Sequence, residues 1–116
     1  MANFVIQRCS TGCRFDLLAA NGQSVASSEV YASEAACRRG IDAVRATAPT
    51  APVEDLSAPE QALPNPKFQL YLDKRGRYRF RLKARNGRIV AVSQAYRTKE
   101  SCLEGIDSVR KNAAEE

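Results

Sequence analysis

The chain has 116 residues, with 18 Lys and Arg against 13 Asp and Glu, giving a net charge of +5. That length supports one ordinary domain and excludes two large independent cores. Hydrophobic residues at 44% and charged residues at 27% exclude a disordered composition.

The chain contains no histidine, which removes the commonest general base and the Ser-His and Cys-His nucleophile pairs. Residues 1 to 52 sum to +1, 53 to 66 to −3 and 67 to 116 to +7, so the basic character belongs to the C-terminal half. "MANFVIQRC" lacks the basic and apolar regions of a secretory leader. No apolar run approaches the roughly 18 to 20 residues of a membrane span. A cytoplasmic protein is expected, with no membrane partner and with its four cysteines as thiols.

In chain order, Phe4 and Ile6 open a strand, and Thr11-Gly12 is expected to turn it. Such a turn pairs Ile6 with Leu17 and Phe4 with Ala19, which puts the apolar set on one face. Asn21-Gly22 is a hairpin signal of the type I′ kind, in which both turn residues take positive φ. After a third strand, Ser33 caps a helix over Glu34 to Thr47, where Cys37, Gly40 and Ile41 recur at helical spacing.

"PTAPVEDLSAPEQALPNP" then holds every proline in the chain. Proline fixes φ and lacks a backbone donor, so this segment reads as an exposed, stiff connector. "VEDLS", Val53 to Ser57, is expected to add a short edge strand.

The pattern then repeats. Arg14 to Ala48 and Arg79 to Ala113 align without a gap and agree at about half their positions. In the second copy Phe68, Leu70 and Leu72 alternate with polar residues, and so do Tyr78, Phe80, Leu82 and Ala84. A three-residue loop between Asp73 and Arg77 pairs Leu72 with Tyr78, Leu70 with Phe80 and Phe68 with Leu82. Beyond Asn86-Gly87, Ile89, Ala91 and Ser93 are expected on the inner face, with Val25, Val90 and Val92 on the outer. Thr98 caps a second helix, Lys99 to Asn112. The domain organisation is repeat one at 1–48, connector at 49–66 and repeat two at 67–113. The fold class is α+β: two tandem β-β-β-α repeats forming one pseudo-twofold domain, an antiparallel sheet backed by two helices.

Alternation places Arg77, Arg79, Arg81, Lys83 and Arg85 opposite Tyr78, Phe80 and Leu82. Alternate strand residues lie roughly 6.6 to 6.8 Å apart, comparable to phosphates along an extended single strand, and Tyr71 could stack a base. Polyanion binding through these six residues is therefore one expectation. The competing account is a solvated outer sheet face, on which long arginine stems serve well. It is favoured by Asp16, Leu18 and Ala20, which stand in the first copy where Arg81, Lys83 and Arg85 stand in the second.

"CSTGC", Cys9 and Cys13, falls on opposite faces of the first hairpin, and a zinc site needs about four ligands. Cys37 and Cys102 lie on the helical apolar stripes and read as packing residues. Asp42 and Asp107 each precede an arginine, Arg45 or Arg110, by three residues and read as surface ion pairs. Gly40 and Gly105 read as close-packing positions. Ser28 and Ser93 are tied to nearby backbone or share a polar pocket. No catalytic residue, cofactor or metal is expected. A non-catalytic interaction module is the preferred function, polyanion binding the second and an enzyme of unknown type the third.

The second copy's "YRFRLKARNGRIVAVSQAY…GIDSVRKNA", echoed by "CRFDLLAANGQSVASSEVY…GIDAVRATA", resembles the YegP-like family. These are small proteins of undetermined function built from this repeat, singly or in tandem. Leu18 and Ala43 depart from the lysine and serine of the second copy, Lys83 and Ser108. The resemblance implies a three-strand-plus-helix unit followed by a short strand, with two units joined in one sheet by exchange of terminal strands. It also implies that single-repeat members dimerise and that a tandem chain reaches the same arrangement within itself, so that a monomer is possible, and it supplies no catalytic residue.

Overall fold

A computed structural model of the chain describes residues 3–58 and 62–114. Part of the proline connector, residues 59–61, lies outside the described residues. The elements in chain order are β1 (Asn3–Cys9), β2 (Gly12–Leu18), β3 (Ser24–Ser27), α1 (Glu34–Thr47), β4 (Val53–Asp55), β5 (Lys67–Leu72), β6 (Tyr78–Lys83), β7 (Ile89–Val92) and α2 (Lys99–Ala114). The strands form one sheet in the order β1-β2-β3-β7-β6-β5-β4. All neighbours are antiparallel except β4, which runs parallel to β5.

Period-two alternation decides which residues meet the helices. Phe15 and Leu17 on β2, Phe68 and Leu70 on β5, and Phe80 and Leu82 on β6 are fully buried. Each such side chain contributes about 1.5–3 kcal/mol on leaving water. They pack with Cys37, Ile41 and Val44 of α1 and Cys102, Ile106 and Val109 of α2 in one cluster drawn from both repeats. The helix starts follow the expected caps. Ser33 Oγ accepts from the Ala36 amide and Thr98 Oγ1 from the Ser101 amide, satisfying donors with no partner inside the helix.

The duplication is geometric as well as sequential. Phe15 stacks on Tyr31 at 6.3 Å and 12°, and Phe80 on Tyr96 at 6.3 Å and 16°. Backbone bridges join Cys13 to Tyr31 and Tyr78 to Tyr96. The repeats meet at a narrow seam, where Ser27 pairs with Val92.

The β5–β6 register is the expected one, with Phe68 opposite Leu82, Leu70 opposite Phe80 and Leu72 opposite Tyr78. The first hairpin differs. Cys9 pairs with Gly12 around Ser10 and Thr11, so Ile6 faces Phe15 and Phe4 faces Leu17. The expected pairing was displaced by two residues, a shift that keeps every side chain on its face.

The Asn-Gly turns also differ. Only glycines take positive φ, with Gly22 at 84° and Gly87 at 85°. The Ala19 amide donates to the Gln23 carbonyl and the Gly22 amide to the Ala19 carbonyl, so a three-residue loop closes the hairpin. This is a type I turn followed by a left-handed glycine rather than type I′. Asn21 and Asn86 serve by accepting the Gln23 and Arg88 amides on their side-chain oxygens.

After each of these turns the register slips by one residue, at Leu17/Leu18 and at Leu82/Lys83. Such a bulge reverses the faces beyond it. Val90 is therefore buried and Val25 packs against the core, while Ile89 is 39% exposed. This corrects the faces expected for these three residues. Val92 stays outside, and Ala91 and Ser93 inside, as expected.

Candidate functional site

The basic stripe lies on the sheet face opposite the helices, and two of its arginines are already engaged. Arg79 Nε donates to Asp73 Oδ2 at 2.9 Å. Arg81 Nε donates to Gln69 Oε1 at 2.8 Å, and its guanidinium sits 4.8 Å from the Tyr71 ring centroid. Tyr71 thus stacks on a neighbouring cation. Arg77 and Arg85 fall beyond the two ends of β6 and are exposed, and Lys83 is its last residue. The arrangement joins Tyr71, Arg79 and Arg81 to internal partners and does not extend the stripe along one strand.

Beside the stripe, Glu54 of β4 is buried. Its carboxylate accepts from the Leu63 amide, Lys67 Nζ and Gln69 Nε2 at 2.6, 3.0 and 2.8 Å. These donors, the Leu63 amide foremost, hold its carboxyl down at about 2. Lys67 also donates to the Leu63 carbonyl, which draws the end of the connector over this corner of the sheet. The first repeat carries a different network on its outer face. Asp16 there is buried and accepts from Gln7, Ser24 and Ser27, with Arg14 at 3.6 Å.

The other singled-out residues have structural partners. Ser28 Oγ accepts the Phe15 amide and donates to the Glu29 carbonyl, and Ser93 Oγ does the same with Phe80 and Gln94. Each hydroxyl completes the ladder where a strand leaves the sheet.

Cys9 is exposed and Cys13 buried, on opposite faces; all four cysteines are thiols. The Thr11 hydroxyl lowers the Cys9 thiol below its ordinary value. Burial raises Cys37, and raises Cys102 to about 11. Arg110 lies 3.9 Å from Asp107, while Arg45 lies over the Phe4 ring at 4.9 Å. Among the described residues no three His, Cys, Asp or Glu side chains gather as for a metal ion, and no helix is long and apolar enough to cross a membrane.

The exchange of a short strand between the halves, expected from the resemblance, is seen at one of the two sheet edges. β4 follows α1 in the first repeat and lies along β5 of the second, so a terminal strand is exchanged. Arg110 Nη2 clasps it, donating to the Ala51 carbonyl at 2.6 Å while lying over the Phe68 ring at 5.4 Å. Among the described residues no strand pairs with the outer side of β1, the pseudo-twofold counterpart of β5. A cleft of about 310 Å³ runs there between β1 and α1, lined by Phe4, Ile6, Arg38, Ile41, Asp42 and Arg45. The signal available in sequence was the matching of Phe4 with Phe68 and Arg45 with Arg110. Only the pairing of β4 gives those matches a meaning.

A family model described as "Domain of unknown function (DUF1508)" matches residues 10–55 and 73–116, one match in each repeat. The UPF0339 protein YegP of Escherichia coli (strain K12) is 32% identical over 99 residues, covering 85% of this chain and 77% of the relative. A UPF0339 protein of Methanosarcina acetivorans is 62% identical over 47 residues, 40% of this chain but 81% of that relative, which is therefore little longer than one repeat. The solution structure of yegP from E. coli, titled a protein of unknown function, superposes with a TM-score of 0.80 at 29% identity. It is matched over 99% of this chain and 88% of its own. The fold also matches that of a UPF0339 protein from Shewanella oneidensis, with a TM-score of 0.80 at 24% identity over 98% of this chain and 86% of that one. Two repeats, each closed by the same serine and tyrosine bridges and each matched by the family model, make this chain a tandem member of the DUF1508 (UPF0339) family, whose function is unknown.

Proposed function

We propose that the protein is a non-catalytic interaction module that takes an extended polypeptide along the edge of β1, which no strand among the described residues covers. The observation that carries this reading is the inequality of the two edges. The β5 edge holds a parallel strand, and its counterpart presents the same aromatic ring and the same arginine beside an open cleft. An exposed edge offers a row of unpaired N–H and C=O groups, which is the chemistry of strand addition. The non-catalytic part is supported by the buried polar side chains. Asp16, Ser28, Glu54, Lys67, Gln69 and Ser93 all have internal hydrogen-bond partners.

Polyanion binding retains Arg77, Lys83 and Arg85, while Arg79 and Arg81 would have to leave Asp73 and Gln69. Photocrosslinking separates the readings. Benzoylphenylalanine in place of Val5 should capture a protein from nuclease-treated extract of the native host, and the same group in place of Arg79 should not. Oligonucleotide affinity that falls steeply with salt, and is lost in the Arg79→Glu, Arg81→Glu double variant, would replace this reading with the polyanion one.

A further inference from the structure

We propose that the cleft between α1 and the β6–β7 turn binds a small organic monocarboxylate, its charge held by Arg39 and Arg88 and its apolar body laid against α1. The inference does not depend on the β1 edge. It rests on a cavity of about 220 Å³ where the helix of the first repeat meets the hairpin of the second.

Small side chains make the floor. Tyr31 stacks on Phe15, and its hydroxyl rests against Gly40, where a Cβ would come within 2.8 Å of the ring carbon bearing it. Ala36 and Ala43 lie four residues before and three after Gly40, on the same face of α1. Ala84 and buried Val90 of the second repeat close the opposite side. The floor is therefore apolar. Its volume is below the roughly 300–1,000 Å³ of drug-sized sites, which limits the occupant to a single ring or a short chain.

The rim supplies donors. Arg39 is exposed and has no carboxylate partner among the described residues. Arg88 meets Glu29 at 3.4 Å, an exposed pair that holds it weakly. Asn86 uses its side-chain oxygen on the Arg88 amide, so its own amide nitrogen remains to donate. The Tyr31 hydroxyl has no hydrogen-bond partner among the described residues, and burial raises it above its ordinary value, so it stays protonated. Four donors above an apolar floor suit an oxyanion, and a pair of guanidiniums suits the flat fork of a carboxylate. Two arginines less Glu29 leave one positive charge, which matches a monoanion better than a doubly charged phosphate ester.

The duplication provides a built-in control. Tyr96, Gly105 and Asn21 repeat Tyr31, Gly40 and Asn86, but Glu104 stands where Arg39 does and Gln23 where Arg88 does. Ser101 and Ser108 replace Ala36 and Ala43. The related seat keeps the framework of the repeat and lacks both guanidiniums and the apolar floor. Tyrosine, glycine and asparagine belong to the fold; the arginines and alanines belong to this cleft.

The test titrates the full chain with sodium benzoate at constant ionic strength, read by amide resonances. Gly40, Arg88 and Ile89 should shift saturably with a Kd of about 1 mM, while Tyr96 and Gly105 stay in place. Benzamide, the ring without the charge, and acetate, the charge without the ring, should each bind at least about tenfold more weakly. Arg39→Glu gives the cleft the charge of its counterpart and should abolish binding. Arg88→Gln should weaken it about tenfold, and Glu29→Gln, which removes the competing carboxylate, should tighten it severalfold. All three side chains are exposed, so an unchanged unfolding midpoint separates lost binding from a lost fold.

Equal shifts at Gly105, shifts confined to Arg77–Arg85, equal binding of benzamide or tighter binding of phenyl phosphate would overturn the proposal. So would affinity retained in both arginine variants, or no saturable shift below about 20 mM.

Discussion

The hydroxyl of Tyr96 lies against the Cα of Gly105, close enough that a Cβ there would sit 2.8 Å from the ring carbon bearing it and 3.0 Å from a Phe80 ring carbon. Tyr31 covers Gly40 in the same way in the first repeat. The stacked tyrosine–phenylalanine pair thus sets how closely each helix approaches the sheet, and the glycine is the helix's answer to it. Alanine is the better helix former by about 1 kcal/mol, yet overpacking a filled core costs about 1–3 kcal/mol. Gly105→Ala should therefore lower stability in urea unfolding. Adding Tyr96→Phe should recover part of the loss, a coupling that a double-mutant cycle measures.

Ser93→Ala and Ser28→Ala should each cost about 1–3 kcal/mol, because each strands a buried backbone amide, that of Phe80 or Phe15. Hydrogen exchange supplies the specific readout. The Phe80 amide should lose protection in Ser93→Ala by more than the global loss of stability accounts for.

Under native conditions one thiol in four should react with a thiol reagent at neutral pH. Cys9 is exposed and its thiol is lowered by the Thr11 hydroxyl, while Cys13, Cys37 and Cys102 are buried. Denaturant should release the remaining three. Fast native labelling of Cys102, which burial raises to about 11, would contradict the packing of α2.

Acid should loosen the β4 edge in a defined window. Glu54 is held at about 2 against an ordinary 4.5, so the folded state binds this proton less readily than the unfolded state does. Its stabilisation is fully present above pH 4.5 and is lost as pH falls toward 2. Glu54→Gln should flatten the decline of stability over that range without abolishing it, since Glu34, Asp55 and Asp73 are also lowered by their partners. An unchanged pH profile for Glu54→Gln would show that the Glu54 carboxylate does not contribute to holding β4.

Much of the fold was legible because the informative patterns are local. Alternation at Phe68, Leu70, Phe80 and Leu82 names the faces of β5 and β6, and a loop of fixed length sets their register. Helical spacing at Cys37, Gly40 and Ile41 finds the buried stripe of α1. The errors were local too, and they came from turn geometry. A two-residue displacement in the first hairpin preserves parity, so no pattern of side chains reports it. The bulge after Asn86-Gly87 exchanges the fates of Ile89 and Val90, both β-branched aliphatics, so composition gives no warning.

The candidate site was the least legible part. The arginine stripe is conspicuous in sequence, but whether a guanidinium is free depends on Asp73, Gln69 and Tyr71, which reach it across strand pairings and loop ends.

Sequence alone determined the duplication, the faces of β1, β2, β5, β6 and the two helices, the caps and the ladder-closing serines' place in each repeat. All of these follow from spacing along one chain, where periods of two and 3.6 residues sort side chains between oil and water. Only the tertiary structure decided the seat of the exchanged strand, with Val53–Asp55 parallel to β5 and Val53 opposite Phe68, while among the described residues no strand pairs with the other side of β1. That choice belongs to groups far apart in the chain, Glu54 with Lys67 and Gln69, and Arg110 with Ala51, whose attraction has no period to read.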